Sequence, residues 1–407
     1  MSEIENSRLV SYAVFICTLA VVLLTVTTIV FPALFSYYFG LYSENLEPFE
    51  LGYQAVFLVT TNIVIFGFGI AYYKKKIPSF LDNIIEKIRA FELSKNVTII
   101  VLAIILGIYV GLSTPELLID ESTQWGDYEV LDKALKLWPY GESDDVYVQE
   151  QNDRYVRMIL LDASHNIFQN IKILPFIASI LVVAFTFLIT TQFCQKRFAG
   201  IISVIVLLQA NTFLKFDTIA VYENFWVLFF LISLYTIQRK WFLSPVFYIL
   251  AFFTKAYLAP FFLKTLFTAY RSEISRRRKV AILSSYIIII AAAVALIFFG
   301  ETIYPDVIEI NSSKFILGFQ AISSQLRFDI FFIVMILPVT VGLVLLSKNN
   351  KHADSILVLI FGSIIASPAL VMFTFHYDIQ AYRFVPLLVF FSIGVGMFFS
   401  KKSVKFS

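Results

Sequence analysis

The chain has 407 residues, 59% of them hydrophobic and 15% charged, with a mean hydropathy of +0.80. A soluble domain carries about 25% charged residues. A bilayer must therefore solvate much of this surface, which excludes a soluble enzyme, a disordered regulator and a disulfide-stapled secreted domain. The apolar runs are long and continuous rather than short and alternating, which excludes a β-barrel. The formal net charge of +3 decides little, because in a membrane protein the placement of charge outweighs its sum.

The chain opens on the acidic stretch MSEIENSR, and the apolar run behind it is too long for a signal-peptide core and lacks a small-residue cleavage site. It reads as a retained membrane helix. About 20 apolar residues cross the hydrocarbon core as a helix. On that measure twelve candidate spans follow, near 10–35, 52–73, 97–113, 172–194, 199–214, 218–237, 243–254, 256–270, 280–299, 328–347, 354–375 and 382–400. Lys255 and Pro260 interrupt what is otherwise one apolar stretch across the seventh and eighth. Cys17 and Cys194 lie in or beside apolar runs and form no metal-ligand or disulfide pattern.

With the N-terminus inside, the cytoplasmic segments are the N-terminus, 74–96, 195–198, 238–242, 271–279, 348–353 and the tail 401–407. Together they hold 21 of the 32 Lys and Arg, including Lys74-Lys75-Lys76 and Arg276-Arg277-Arg278-Lys279. This obeys the positive-inside rule at each inner turn. The expectation is an all-α polytopic membrane protein of about twelve transmembrane helices in the plasma membrane, with both termini cytoplasmic.

Residues 114–171 form a long outer loop with twelve Asp and Glu against four Lys and Arg. Its aromatic residues (Trp125, Tyr128, Trp138, Tyr140, Tyr147, Tyr155) and apolar patches such as Met158-Ile159-Leu160-Leu161 do not have a disordered composition. They predict amphipathic helices on the outer membrane surface. At the loop's start, Asp120-Glu121 follows an apolar span directly. Taken alone this pair is a helix N-cap with a first-turn acid; beside a wet cavity it is a functional carboxylate. Glu223, inside an apolar span, is a functional candidate on the same ground, or else a buried hydrogen-bonding group beside Asn224 or Tyr222.

Several features recur in order: an apolar span, then Asp120-Glu121, a long amphipathic outer loop, and Lys172-Ile173-Leu174-Pro175 opening a span. The inner turn Gln195-Lys196-Arg197-Phe198-Ala199-Gly200 comes next, then a hairpin through Phe216-Asp217, Phe253-Thr254-Lys255-Ala256, and Tyr382-Arg383-Phe384-Val385-Pro386. This set resembles the GT-C membrane glycosyltransferases that use polyprenyl-phosphate sugars, in the group of the protein O-mannosyltransferases and the lipid A aminoarabinose transferase. The resemblance covers roughly 97–400 and leaves 1–96, two helices and a basic inner loop, as an N-terminal addition.

The resemblance implies that Asp120 acts as base, or orients the acceptor, with Glu121 beside it. A carboxylate there accepts the proton of a hydroxyl or amide as it attacks the anomeric carbon. Single displacement inverts that centre and needs no second nucleophilic carboxylate. The leaving lipid phosphate needs cations, for which Lys255 and Arg383 are the candidates, with His376 and Tyr377 nearby; snorkelling to lipid is the plainer reading of either cation. A second acid is implied at Asp217 or Glu223, although the Arg that usually precedes it is missing. His165 and Asn166 are candidates for an acceptor or lipid contact, against a plain surface role. The acids allow a divalent cation without requiring one, and the three scattered histidines make no zinc site.

The implied partners are a polyprenyl-phosphate-linked sugar, membrane lipid, and a protein, lipid or glycan acceptor, with no nucleic acid. A lipid-linked sugar flippase, an envelope polysaccharide polymerase and a silent scaffold are the rival readings. No internal repeat of the transporter kind is visible, and no Walker loop supports nucleotide-driven transport.

Overall fold

The computed structural model describes residues 3–39, 47–139, 141, 143–152, 154–299, 312–373 and 380–401. His376 and Tyr377 lie outside these residues, as do Asp378 beside them and Asn311, the first residue of a glycosylation tripeptide (Asn311-Ser312-Ser313) expected on the outer side. Among the described residues the regular structure is helical throughout, with no strand. In order the α-helices are α1 (Glu3–Val30), α2 (Leu34–Tyr38), α3 (Ala55–Tyr73), α4 (Ser79–Ala90), α5 (Lys95–Ser113), α6 (Tyr128–Leu137), α7 (Val146–Asn152), α8 (Tyr155–Phe168), α9 (Ile173–Cys194) and α10 (Arg197–Leu208). There follow α11 (Asn211–Lys215), α12 (Phe225–Arg239), α13 (Leu243–Thr254), α14 (Phe261–Arg271), α15 (Arg276–Phe299), α16 (Ser312–Gln325), α17 (Ile330–Ser347), α18 (Lys351–Phe373) and α19 (Val385–Met397).

Among the described residues six helices are long and apolar enough to cross a bilayer. They begin at Leu9, Ala55, Lys95, Ile173, Ile330 and Lys351, and α10, α12, α13 and α19 are shorter apolar helices. The interruption read at Lys255 and Pro260 is a real break: α13 stops at Thr254, a single 3-10 turn spans Ala256–Leu258, and α14 starts after Pro260. Three elements depart from the reading. The span expected at 199–214 divides into α10 and α11, and the one expected at 218–237 starts only at Phe225, which leaves Glu223 in the turn before it rather than inside a span. The segment before 328 was expected to be an outer connection, yet α16 is a fourteen-residue helix packed on α1 and α18. Its apolar content is diluted by Ser, Gln and Lys, so hydropathy alone passes over it.

Burial sets the layering. In α19 every residue but Val395 is buried, and it packs on α9, α10, α17 and α18. Small residues let these helices close up: a Cβ added at Gly396 would lie 2.7 Å from the Ala199 carbonyl oxygen, and one at Gly200 would lie 2.6 Å from the Phe187 ring. At the periphery, α3 and α5 expose Ile63, Val64, Phe68, Ile99, Ile100, Ile104 and Ile108, a surface that only lipid covers cheaply. α1, expected as part of an N-terminal addition, packs on α16, α17 and α18 and so belongs to the bundle.

Contacts sort the connections into two ends. At one end the backbone N–H of Lys401 donates to Cys194 O, Asn350 Nδ2 to Phe193 O, the Lys196 ammonium to Arg89 O, and Arg271 pairs with Asp354. These are the basic turns. At the other end the 114–171 loop meets the 212–224 segment, the Lys255 break and the entry to α19. The loop forms the helices α6, α7 and α8, as its amphipathic pattern predicts.

Candidate functional site

The loop end is organised around the turn Phe216–Asn224, which joins α11 to α12. Its backbone is held from both sides. The Glu121 carboxylate accepts the N–H groups of Ala220 at 2.7 Å and Val221 at 3.1 Å. Arg157, from α8, donates to the Val221 carbonyl at 2.9 Å and, through Nε, to Glu223 Oε2 at 3.0 Å. Both members of that ion pair are buried, with side chains 2% and 1% exposed. Burial pushes the Glu121 carboxyl above its ordinary value, and the two N–H bonds oppose the shift. The Arg157 guanidinium is the partner of Glu223, not Asn224 or Tyr222. It comes from a helix more than sixty residues upstream, so it was invisible to a search for an Arg just before the acid. A lone Arg among Met158, Ile159, Leu160 and Leu161 was the available signal.

The clasp fixes Tyr222. Its hydroxyl donates to Asp127 Oδ2 at 2.7 Å, and its ring stacks on Tyr382 with centroids 4.6 Å apart. Tyr382 in turn collects the two predicted cations. Lys255 Nζ sits 3.7 Å from its ring centroid, a cation–π contact. Arg383 Nε donates to its hydroxyl at 3.2 Å. Lys255 is buried, 6% exposed, so it does not snorkel to lipid. Among the described residues neither Lys255 nor Arg383 has a carboxylate within ion-pairing distance.

Tyr222, Tyr382 and Arg383 face a cavity of about 550 Å³, lined also by Arg154, Arg157, Asp127 and Glu150. Arg154, just before α8, pairs with Glu150 of α7, four residues earlier. Three guanidinium groups thus converge on one space, with Lys255 behind the tyrosine wall. A second cavity of about 300 Å³ lies across the aromatic cluster, lined by Glu116, Trp125, Lys172, Lys215 and Thr218. Trp125 meets Tyr222 edge-on at 5.1 Å and Phe216 at 5.6 Å, so aromatic rings form the partition.

The remaining expected site residues go elsewhere. Asp120 is exposed, caps the short turn Glu121–Thr123 by accepting the Ser122 N–H at 2.9 Å, and lines neither cavity. It is the N-cap of the plainer reading, and that hydrogen bond holds its carboxyl below the ordinary value. Asp217 is fully buried, accepts the Ser113 hydroxyl at 2.8 Å and lines neither cavity. Burial pushes its carboxyl up to about 6. His165 and Asn166 are exposed at the end of α8 and also line neither cavity. Among the described residues no three His, Cys, Asp or Glu side chains gather as metal ligands; Glu121 holds backbone and Glu223 holds Arg157. Arg154, Arg157, Asp127, Glu150, Tyr222 and Tyr382 are the cavity residues that sequence reasoning passed over.

Comparison of the chain with protein families, with curated proteins and with solved structures finds no match.

Proposed function

We propose that this chain is an integral-membrane glycosyltransferase of the GT-C kind. It crosses the plasma membrane about twelve times with its termini inside, and moves a sugar from a polyprenyl-phosphate carrier to an acceptor at the outer face. The observation that carries the reading is the convergence of Arg154, Arg157 and Arg383 on one cavity, backed by Lys255, at the end of the bundle opposite the basic turns. Guanidinium forks suit a phosphate headgroup and keep their charge at any relevant pH. Glu223 and Glu150 neutralise Arg157 and Arg154, which leaves Arg383 in the cavity wall to meet the anion, with the charge of Lys255 behind the Tyr382 ring. A cation-rich mouth beside membrane-crossing helices fits a donor whose tail lies in lipid.

In this reading the base is not Asp120, which stands in solvent. Asp127 takes that role, because it faces the cavity and is oriented by the Tyr222 hydroxyl. The acceptor's O–H or N–H attacks the anomeric carbon, and the proton passes to Asp127. The bond from that carbon to the phosphate oxygen breaks, and polyprenyl phosphate leaves with the electron pair. The centre inverts.

The test is transfer from labelled polyprenyl-phosphate sugars by the purified protein in nanodiscs containing cell-envelope lipid and glycan acceptors. Asp127→Asn is expected to lower turnover by about 10²–10⁴-fold, the usual worth of a general base. Arg383→Ala is expected to raise the apparent KM for the donor, and Asp120→Asn to leave both constants near wild type. Translocation of the lipid without transfer would turn the reading to a flippase. Growth of a lipid-linked glycan would turn it to a polymerase. Loss of transfer in Asp120→Asn alone would return the base to residue 120.

A further inference from the structure

α4 stands outside everything described so far. Its twelve residues connect α3 to α5 at the basic end of the molecule, and none is buried. Phe80, Ile84 and Ile88, at i, i+4 and i+8, are 60%, 47% and 43% exposed. With Leu81 and Ile85 they share one arc of the helix, while Asp82, Asn83, Glu86 and Arg89 occupy the opposite arc. Lys74, Lys75 and Lys76 precede it and are exposed, as is Lys87 at the edge of the apolar arc.

Among the described residues, the helix's C-terminal end is tied to the bundle. Arg89 Nη1 donates to the Tyr72 hydroxyl at 3.1 Å, and the Lys196 ammonium donates to Arg89 O. The Glu92 carboxylate accepts the Arg197 N–H at 3.0 Å, and the Phe91 ring meets Phe198 edge-on at 5.0 Å.

The position of α4 is dictated by its neighbours. α3 and α5 are both long and apolar enough to cross, and both present their sides to lipid. A helix of twelve residues is too short to cross, since crossing takes about 20. Joined to two crossing helices at the same end, it is confined to the boundary layer. There an arc of Phe and Ile has hydrocarbon beneath it and a row of lysines at headgroup level.

We infer that α4 lies in the plane of the membrane with Phe80, Ile84 and Ile88 sunk below the headgroups, and that Lys74–Lys76 and Lys87 make this site selective for anionic phospholipid. The occupant of the apolar face is the leaflet itself. The C-terminal ties attach α4 to the start of α10 through Lys196 and Arg197. This inference stands apart from the proposed transfer reaction.

The test uses the full chain with Cys17→Ser, one copy per nanodisc, carrying an environment-sensitive fluorophore on Ile84→Cys or Glu86→Cys. The nanodiscs are phosphatidylcholine alone or phosphatidylcholine mixed with phosphatidylglycerol. The expected result is blue-shifted emission and a several-fold lower iodide quenching constant at 84 than at 86. Phosphatidylglycerol should lower the value at 84 further, and replacing Lys74, Lys75 and Lys76 with Gln should remove that added effect. Equal quenching at 84 and 86 in both lipids would overturn the in-plane placement. Shielding that phosphatidylglycerol does not change would overturn the anionic selectivity. Two-copy nanodiscs prepared in parallel complete the comparison: shielding at 84 there, with none in single-copy nanodiscs, would assign the face to self-association instead.

Discussion

Arg157 and Glu223 form the ion pair on which one wall of the cavity depends, and both are removed from water. Removing one member of such a pair strands the other, at a cost of about 3–5 kcal/mol, whereas replacing both with apolar groups of similar volume is close to neutral. Arg157→Met is therefore expected to lower the thermal midpoint sharply, and Arg157→Met with Glu223→Leu to recover much of the loss. Additive losses in the double variant would show that the two side chains do not act as a pair.

Asp217 makes a pH prediction. Its carboxyl is raised from 3.8 to about 6 by burial, so the folded state holds the proton more tightly than the unfolded one. Stability falls as pH rises through that window, and the full cost is present above it. Asp217→Asn keeps an acceptor for the Ser113 hydroxyl and carries no charge. The variant should unfold at a higher temperature than wild type at pH 7, and the gap should close as pH falls below the window. A gap independent of pH would contradict the assignment. These residues also mark what was legible beforehand. Glu223 was singled out because a charge inside an apolar run is costly, and Lys255 and Arg383 because the resemblance calls for cations and outer-side cations are rare. Asp127, Arg154 and Tyr382 were not, because on a polar loop or an aromatic-rich entry nothing in composition separates a cavity wall from a wetted surface.

At the scale of elements, hydropathy located the long helices well, since each must cover its own backbone in lipid. It failed at α16, whose burial comes from packing rather than from apolar composition, and it left the length of the loop helices open. The close approach of α9, α10 and α19 was also hidden, because a glycine in an apolar run reads the same whether it faces lipid or a neighbour. Gly396 and Gly107 separate the two cases: a Cβ at Gly396 meets the Ala199 carbonyl oxygen at 2.7 Å, and one at Gly107 meets nothing within 4 Å. Gly396→Ala is expected to cost about 1–3 kcal/mol through overpacking. Gly107→Ala should leave stability unchanged or raise it by about 1 kcal/mol through helix propensity. Thermal unfolding in detergent compares them, and equal behaviour would contradict the tight interface.

For the whole molecule, the contacts divide the chain into a basic end and a cavity end, in the order the positive-inside reading requires. Impermeant thiol reagent applied to intact cells should label Asp120→Cys in the loop, and Arg277→Cys only after permeabilisation. The reverse would invert the orientation and move the cavity to the other compartment. The most direct measurement is a cryo-electron microscopy map of the protein incubated with a polyprenyl phosphate. Phosphate density is expected in the cavity of Arg154, Arg157 and Arg383, with the prenyl tail leaving along the bundle surface. Density for the carrier elsewhere, with that cavity empty, would contradict it.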